Sequence, residues 1–333
     1  GDIVAVSKID EIGYDDVLHL DNSGWIAMDS IGLPKPMFGL AIEASAKGAE
    51  AKLGDALAKM SLEDPAFAIE RNATTKELVV RGIGELHLRA KLQLLKDRYG
   101  VEVDTRPPKV AYKETITGKA EGHHRHKKQT GGSGQFGEVY LRIEPVEETS
   151  EGLVNGLEFV DDTFGGSVPK QYLPAIEKGV RRVMSEGAIA GYPMQNIKVA
   201  VYDGKHHPVD SKEIAFMTAG RRAFVEAVQK AAPVLLEPFV KLEITIPSSY
   251  IGDISSDLSG RRGRIQGTDM LPGDQAVVSA EAPLSEVMSY ANQLKSMTGG
   301  SGSYVMEYSH DENTPPNVQA AVVAAFKPQD DED

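Results

Sequence analysis

The segment Met37-Phe38-Gly39-Leu40-Ala41-Ile42-Glu43-Ala44, with the sixty residues after it, decides the fold. Phe38, Leu40 and Ile42 share one face at the two-residue period of a strand. Leu53, Leu57 and Met60 follow at helical spacings. Phe67 and Ile69, then Leu78 and Val80, alternate again as two strands. Leu88, Leu92, Leu95 and Tyr99 predict a second helix, and Val101 and Val103 a closing strand. The order is βαββαβ, the ferredoxin-like split βαβ unit, and Pro107-Pro108 ends it.

The same order returns near the C-terminus. Val240, Leu242, Ile244 and Ile246 alternate, and Ile251, Ile254 and Leu258 predict a short helix. Two strands are expected over about 264–270 and 275–282, one helix after Pro283, and a last strand through Tyr304, Met306 and Tyr308. Between the two copies, 109–236 mixes strands with two helices. One is expected from about Pro169 to Gly187; the other opens at Asp210 with Glu213 three residues on, a capping-box spacing. Upstream, Gly1–Ile9 reads as the last strand or two of a preceding domain, and Pro34 and Pro36 flank a linker. The fold class is therefore α+β and multidomain. Its parts are 1–33, the end of a preceding domain; 34–108, a ferredoxin-like domain; 109–236, a mixed α/β module; and 237–333, a second ferredoxin-like domain with a C-terminal helix and an acidic tail.

A length of 333 residues fits several domains rather than one core. No apolar run is long enough to cross a bilayer, so no membrane role is expected. The absence of cysteine excludes disulfides, thiol nucleophiles and cysteine-ligated zinc, and suits a reducing cytoplasm. The net charge of −13 is uneven: −6 over 1–33, +1 over 34–108, +1 over 109–236 and −9 over 237–333, including the Asp330-Asp331-Glu332-Asp333 tail. A near-neutral middle can still carry a local basic patch.

The most distinctive stretch is His123-His124-Arg125-His126-Lys127-Lys128-Gln129-Thr130-Gly131-Gly132-Ser133-Gly134-Gln135-Phe136-Gly137, where cations run directly into glycines. Glycine lets a backbone approach a phosphate closely, and the cations supply the field. A P-loop requires G-x-x-x-x-G-K-[ST] opening a helix; here the alternation Val139, Leu141, Ile143 predicts a strand instead. A nucleotide-binding enzyme using the 131–137 glycines is thus the rival reading to a protruding loop that touches a nucleic-acid backbone. The histidines have no converging carboxylates in sequence and are expected to be solvated, with no metal site. No G-x-S-x-G elbow is present, and Ser7-Lys8-Ile9-Asp10 echoes a guanine-specifying motif only by chance. Arg261-Arg262-Gly263-Arg264 puts three cations in four positions, an expected anchor for phosphate. Arg181-Arg182 and Arg221-Arg222 are expected to divide between solvent or RNA and the core surface.

Several of these segments together resemble bacterial elongation factor G. The run Lys127 to Gly137, Gly191-Tyr192-Pro193, His207-Pro208-Val209-Asp210-Ser211 and Pro233-Val234-Leu235-Leu236-Glu237-Pro238 resemble its domain IV. Glu63-Asp64-Pro65, Gly82-Ile83-Gly84-Glu85-Leu86-His87-Leu88 and Val110-Ala111-Tyr112-Lys113-Glu114-Thr115 resemble domain III. Asp257-Leu258-Ser259-Gly260-Arg261-Arg262-Gly263, Pro283-Leu284-Ser285-Glu286 and Tyr290-Ala291 resemble domain V. Ser133 and Gly260 stand where the family commonly has Arg, which points to an elongation factor G-like paralogue.

The resemblance implies a translation factor whose middle module has a ribosomal S5 domain 2-like fold and whose residues 1–33 are the closing strands of a domain II-like β-barrel. Its tip would enter the decoding region beside the tRNA–mRNA duplex and promote translocation. The residues implied in ribosome or RNA contact are Lys127, Lys128, Gln129, Gly131, Gly132, Ser133, Gly134, Gln135, Phe136, His206, His207 and Asp210 at the tip, and Arg261, Arg262 and Arg264 on domain V. The implied partners are rRNA of both subunits, ribosomal proteins at the stalk base, and tRNA–mRNA, with the factor monomeric and cytoplasmic. This chain would not itself be an enzyme; GTP and Mg would bind a GTPase domain upstream of Gly1. A role in ribosome recycling or ribosome protection is the alternative within the same architecture.

Overall fold

The computed structural model describes residues 2–7, 9, 12–19, 29, 32–129, 134–150 and 152–326. These pack as two compact units, one from the described parts of Gly1–Lys109 and Val240–Tyr308, the other from Val110–Phe239 and Ser309–Asp333. The strand expected over Gly1–Ile9 is absent among the described residues there, and Ile3, Val4 and Val6 are exposed. An extended segment becomes a strand only by pairing, and these residues pair with none among those described.

From Phe38 the chain follows the sequence pattern closely. The elements are β1 (Phe38–Ala44), α1 (Glu50–Glu63), β2 (Ala68–Asn72), β3 (Glu77–Gly82), α2 (Glu85–Tyr99) and β4 (Val103–Arg106). The sheet order is β2-β3-β1-β4, antiparallel throughout. Both helices lie over one face: α1 buries Leu53, Leu57 and Met60, α2 buries Leu88 and Leu95, and Phe67 and Val80 complete the core. Gly100, in the left-handed conformation, ends α2 by donating its N–H to the carbonyls of Leu95 and Lys96. Two of the sequence motifs meet here. The His87 Nδ1 accepts the N–H of Ile83, so Nε2 carries the proton and donates to Asp64 at 2.9 Å, where Lys91 also binds at 2.7 Å. Burial alone would raise the Asp64 carboxyl, but the hydrogen bonds from Lys91 and His87 hold it below its ordinary value.

The middle module contains β5 (Lys113–Ile116), β6 (Ala120–Lys128), β7 (Gln135–Pro145), β8 (Leu157–Asp161), α3 (Leu173–Glu186), β9 (Ile197–Lys205) and α4 (Glu213–Lys230). Its sheet runs β6-β7-β9-β8, with only β8–β9 parallel. Val139, Leu141 and Ile143 face α3 and α4, whose Ile176, Val180, Phe216 and Phe224 complete the core. The glycines are the contact points. A Cβ on Gly122 would sit 2.0 Å from the Ala223 carbonyl oxygen, and one on Gly179 would sit 2.2 Å from that of Met217. The helix expected to open at Asp210 begins instead at Glu213, with Lys212 as N-cap and no side-chain cap.

The last elements are β10 (Pro233–Pro247), α5 (Ile251–Gly260), β11 (Arg264–Leu271), β12 (Gln275–Pro283), α6 (Leu284–Val287), α7 (Tyr290–Met297), β13 (Ser303–Asn313) and α8 (Pro316–Ala325). The order β11-β12-β10-β13 repeats that of the first sheet. The single helix expected after Pro283 is two short ones. The start of β10 pairs with β5, Pro233 opposite Ile116. Residues up to Phe239 and from Ser309 pack in the second unit. There Gln319 of α8 accepts from the Leu235 N–H and donates to the Pro233 carbonyl. The acidic tail lies outside the described residues.

Candidate nucleic-acid interface

The glycine-rich segment joins two antiparallel strands. Lys128 stands opposite Gln135 and Lys127 opposite Phe136, so β6 and β7 pair as the two strands of a hairpin. A P-loop requires a strand leading into a helix whose N-terminus faces the phosphate; here the element that follows the glycines is the strand β7, not a helix. Gly131, Gly132 and Ser133, named as contact residues, lie outside the described residues. Lys127 and Gln129 are exposed, and Lys128 is half-buried. The Gln135 side-chain oxygen meets the Nε2 of His126 at 3.0 Å.

The second expected loop is joined to this hairpin. The Phe136 N–H donates to the Asp210 carbonyl at 2.9 Å, and the Ser211 hydroxyl donates to the Phe136 carbonyl at 2.9 Å. The same hydroxyl accepts the His207 N–H at 2.8 Å. Inside the loop the N–H groups of Val209 and Asp210 point at the His207 Nδ1, 3.3 and 3.1 Å away. With Nδ1 an acceptor, the ring proton sits on Nε2, and the ring itself is half-exposed. A Cβ on Gly134 would lie 2.8 Å from the Asp210 carboxyl carbon, so the two turns touch. Asp210 is thus a strut between loops, and His206, His207, Pro208 and Val209 are exposed. Sequence reading missed a further loop, the one that follows β8. The Asp162 N–H donates to the Val201 carbonyl, and Phe164, 92% exposed, is followed by Gly165 and Gly166 with positive φ. A second glycine pair beside an aromatic was the available signal.

The histidines correct the expectation of a solvated loop. His123, His124 and His126 sit on β6, and His123 Nε2 meets the buried carboxylate of Glu138 at 2.9 Å. Burial, then the charges of Arg222 and His126, push the His124 imidazole below its ordinary value. No group of three or more potential metal ligands exists among the described residues.

The arginine cluster is built into its surroundings. Arg261 donates to Asp257 at 2.9 Å and to the Glu286 carbonyl at 2.9 Å, with its guanidinium 5.7 Å from the Tyr290 ring. Arg262, at φ 59°, donates to Glu286 and Ser285. Arg264 is exposed at the start of β11. Two of the three expected phosphate anchors therefore tie the end of α5 to α6. In the middle module, Arg181 and Arg182 pair with Glu177 and Glu186 along α3.

The chain order is a split-βαβ sheet, a mixed α/β module with its basic hairpin, and a second split-βαβ sheet. Residues 33–107 match the family model Elongation Factor G, domain III; 108–232 match Elongation factor G, domain IV; and 234–322 match Elongation factor G C-terminus. Elongation factor G of Rhodopseudomonas palustris (strain BisB18) is 41% identical over 326 residues, 98% of this chain and 46% of that protein. A crystal structure from Thermus thermophilus has a TM-score of 0.74 at 42% identity, covering 88% of this chain and 43% of that one. This chain belongs to the elongation factor G family. It spans about half the length of these relatives.

Proposed function

We propose that this chain is the ribosome-binding portion of an elongation factor G-like translation factor, and that the tip of its middle module enters the decoding region during tRNA–mRNA translocation. The observation that supports this reading best is the clamp between Phe136 and the loop at 207–211. It holds a basic hairpin and a histidine loop as one projection, which a factor entering a crowded RNA site requires. Contacts there are to phosphate and shape, so a modest positive tip on an acidic protein gives reversible binding. GTP and Mg act on a GTPase domain of the full-length factor, and the partners are the rRNA, stalk-base proteins and tRNA–mRNA of a cytoplasmic ribosome. The test uses the full-length factor carrying Lys127→Ala or His206→Ala, two exposed positions. Each substitution should slow tRNA movement about 5- to 30-fold, with GTP hydrolysis unchanged. Equal impairment of both reactions, or of neither, contradicts the assignment of the tip.

A further inference from the structure

One face of the β6-β7-β9-β8 sheet is turned away from α3 and α4, because Val139, Leu141 and Ile143 point to the helices and the residues between them do not. That outer face carries a row of rings. His123 and Tyr140, opposite each other on β6 and β7, stack with centroids 4.0 Å apart and planes 20° apart. Tyr202 is 6.2 Å from Tyr140, at the irregularity where β9 shifts register between Asp203 and Val201. Toward the hairpin, the Arg125 guanidinium lies 5.2 Å from the Phe136 ring.

These rings are held in place. Glu138, buried, receives the Tyr140 hydroxyl at 3.2 Å and His123 at 2.9 Å, and the Tyr202 hydroxyl donates to Glu121. Fixed rings lose little freedom when something stacks on them. The charges on this face are arranged in two zones. Away from the hairpin the cations are matched: Arg142 with Asp162, Lys119 with Glu144, Lys198 with Glu158. Beside the rings, Arg125 and Lys205 flank Glu138 in one cross-strand row and make no ion pair among the described residues. Planar rings next to unmatched cations suit an unpaired base joined to its phosphate. An acidic peptide would use the cations and leave the rings bare, and a duplex hides its base faces.

We infer that this face is a stacking platform for unpaired RNA bases, with Tyr140, His123 and Tyr202 taking base faces and Arg125 and Lys205 the adjoining phosphates. The inference rests on the ribosome-directed reading only for the source of the RNA. It adds a surface beyond the tip loops.

The test is fluorescence anisotropy of this chain with labelled oligo(A), alone and annealed to oligo(U), over a series of salt concentrations. Wild type should favour the single strand. Tyr140→Leu and Tyr202→Leu should each weaken single-strand binding about tenfold, leave duplex binding within about twofold and leave the salt slope unchanged. Tyr140→Phe keeps the ring and should bind like wild type. Arg125→Ala should flatten the salt slope. Circular dichroism melts confirm that each variant is folded. No preference for the single strand, equal weakening on both RNAs, or a Tyr140→Phe defect as large as that of Tyr140→Leu would overturn the platform. Wild-type co-sedimentation with ribosomes reads the ribosome-directed proposal separately, so either can fail alone.

Discussion

A carboxylate removed from water must be hydrogen-bonded or paired, and Glu114 meets that need with backbone alone. It is fully buried and accepts the N–H groups of Ala188, Ile189, Ala190 and Tyr192 at 2.6 to 3.1 Å. Glu114→Gln keeps the shape but turns an NH2 toward N–H donors. It should cost about 3 kcal/mol, read as a lower urea midpoint with an unchanged m-value. Nothing near Glu114 in sequence announces this, because its partners lie 74 to 78 residues away. His124 makes a pH-dependent contribution. Its folded value lies below the ordinary 6.5, through burial first and then Arg222 and His126. The unfolded chain therefore takes up the proton more readily, so stability is unaffected above about pH 6.5 and falls as pH drops through it. Thermal melts between about pH 7.5 and 5.5 should show that fall, and His124→Gln should reduce it.

At the scale of elements, the same residue type has opposite effects in two helices' surroundings. Gly122 lets α4 lie directly on β6, since its Cβ would overlap the Ala223 carbonyl and approach the Ala227 Cβ at 2.9 Å. Gly122→Ala should lower stability by about 1–3 kcal/mol through forced separation of helix and sheet. Gly252, inside α5, has nothing within 4 Å of a built Cβ. Gly252→Ala should raise stability by about 0.4–1 kcal/mol by restricting the unfolded chain, and one set of calorimetric melts checks both. Periodicity made most elements legible: the alternation at Phe38, Leu40 and Ile42 and the spacing of Leu53, Leu57 and Met60 are local consequences of burial on one side. It could not reveal the start of α4, because Asp210 is engaged by Phe136, which is remote in sequence. Nor could it place α8, whose Gln319 finds its partners at Pro233 and Leu235. The hairpin was legible as cations beside glycines, whereas the ring row on the outer face needs three strands in register.

For the molecule as a whole, charge and docking separate. Arg261 and Arg262 are satisfied by Asp257, Glu286 and Ser285, so Arg261→Ala should lower the melting temperature more than it alters the salt dependence of ribosome binding. Lys127→Ala with Lys128→Ala should do the reverse, flattening log K against log salt by about 1 to 1.4 at roughly 0.7 per phosphate, as co-sedimentation would show. The Glu114 hydrogen bonds also have a consequence in time. A ribosome making this chain adds residue 114 well before residue 192, and at about 5–20 residues per second the interval is about 4–16 s. Until residue 188 is added the carboxylate has none of these four donors, and β5 waits longer still for residues 233–236 of β10. The middle module therefore closes late, after most of it has emerged, whereas 38–106 completes its sheet from its own residues. A nascent chain halted near residue 180 should carry the first sheet protected from protease and the emerged residues just after 110 open to it.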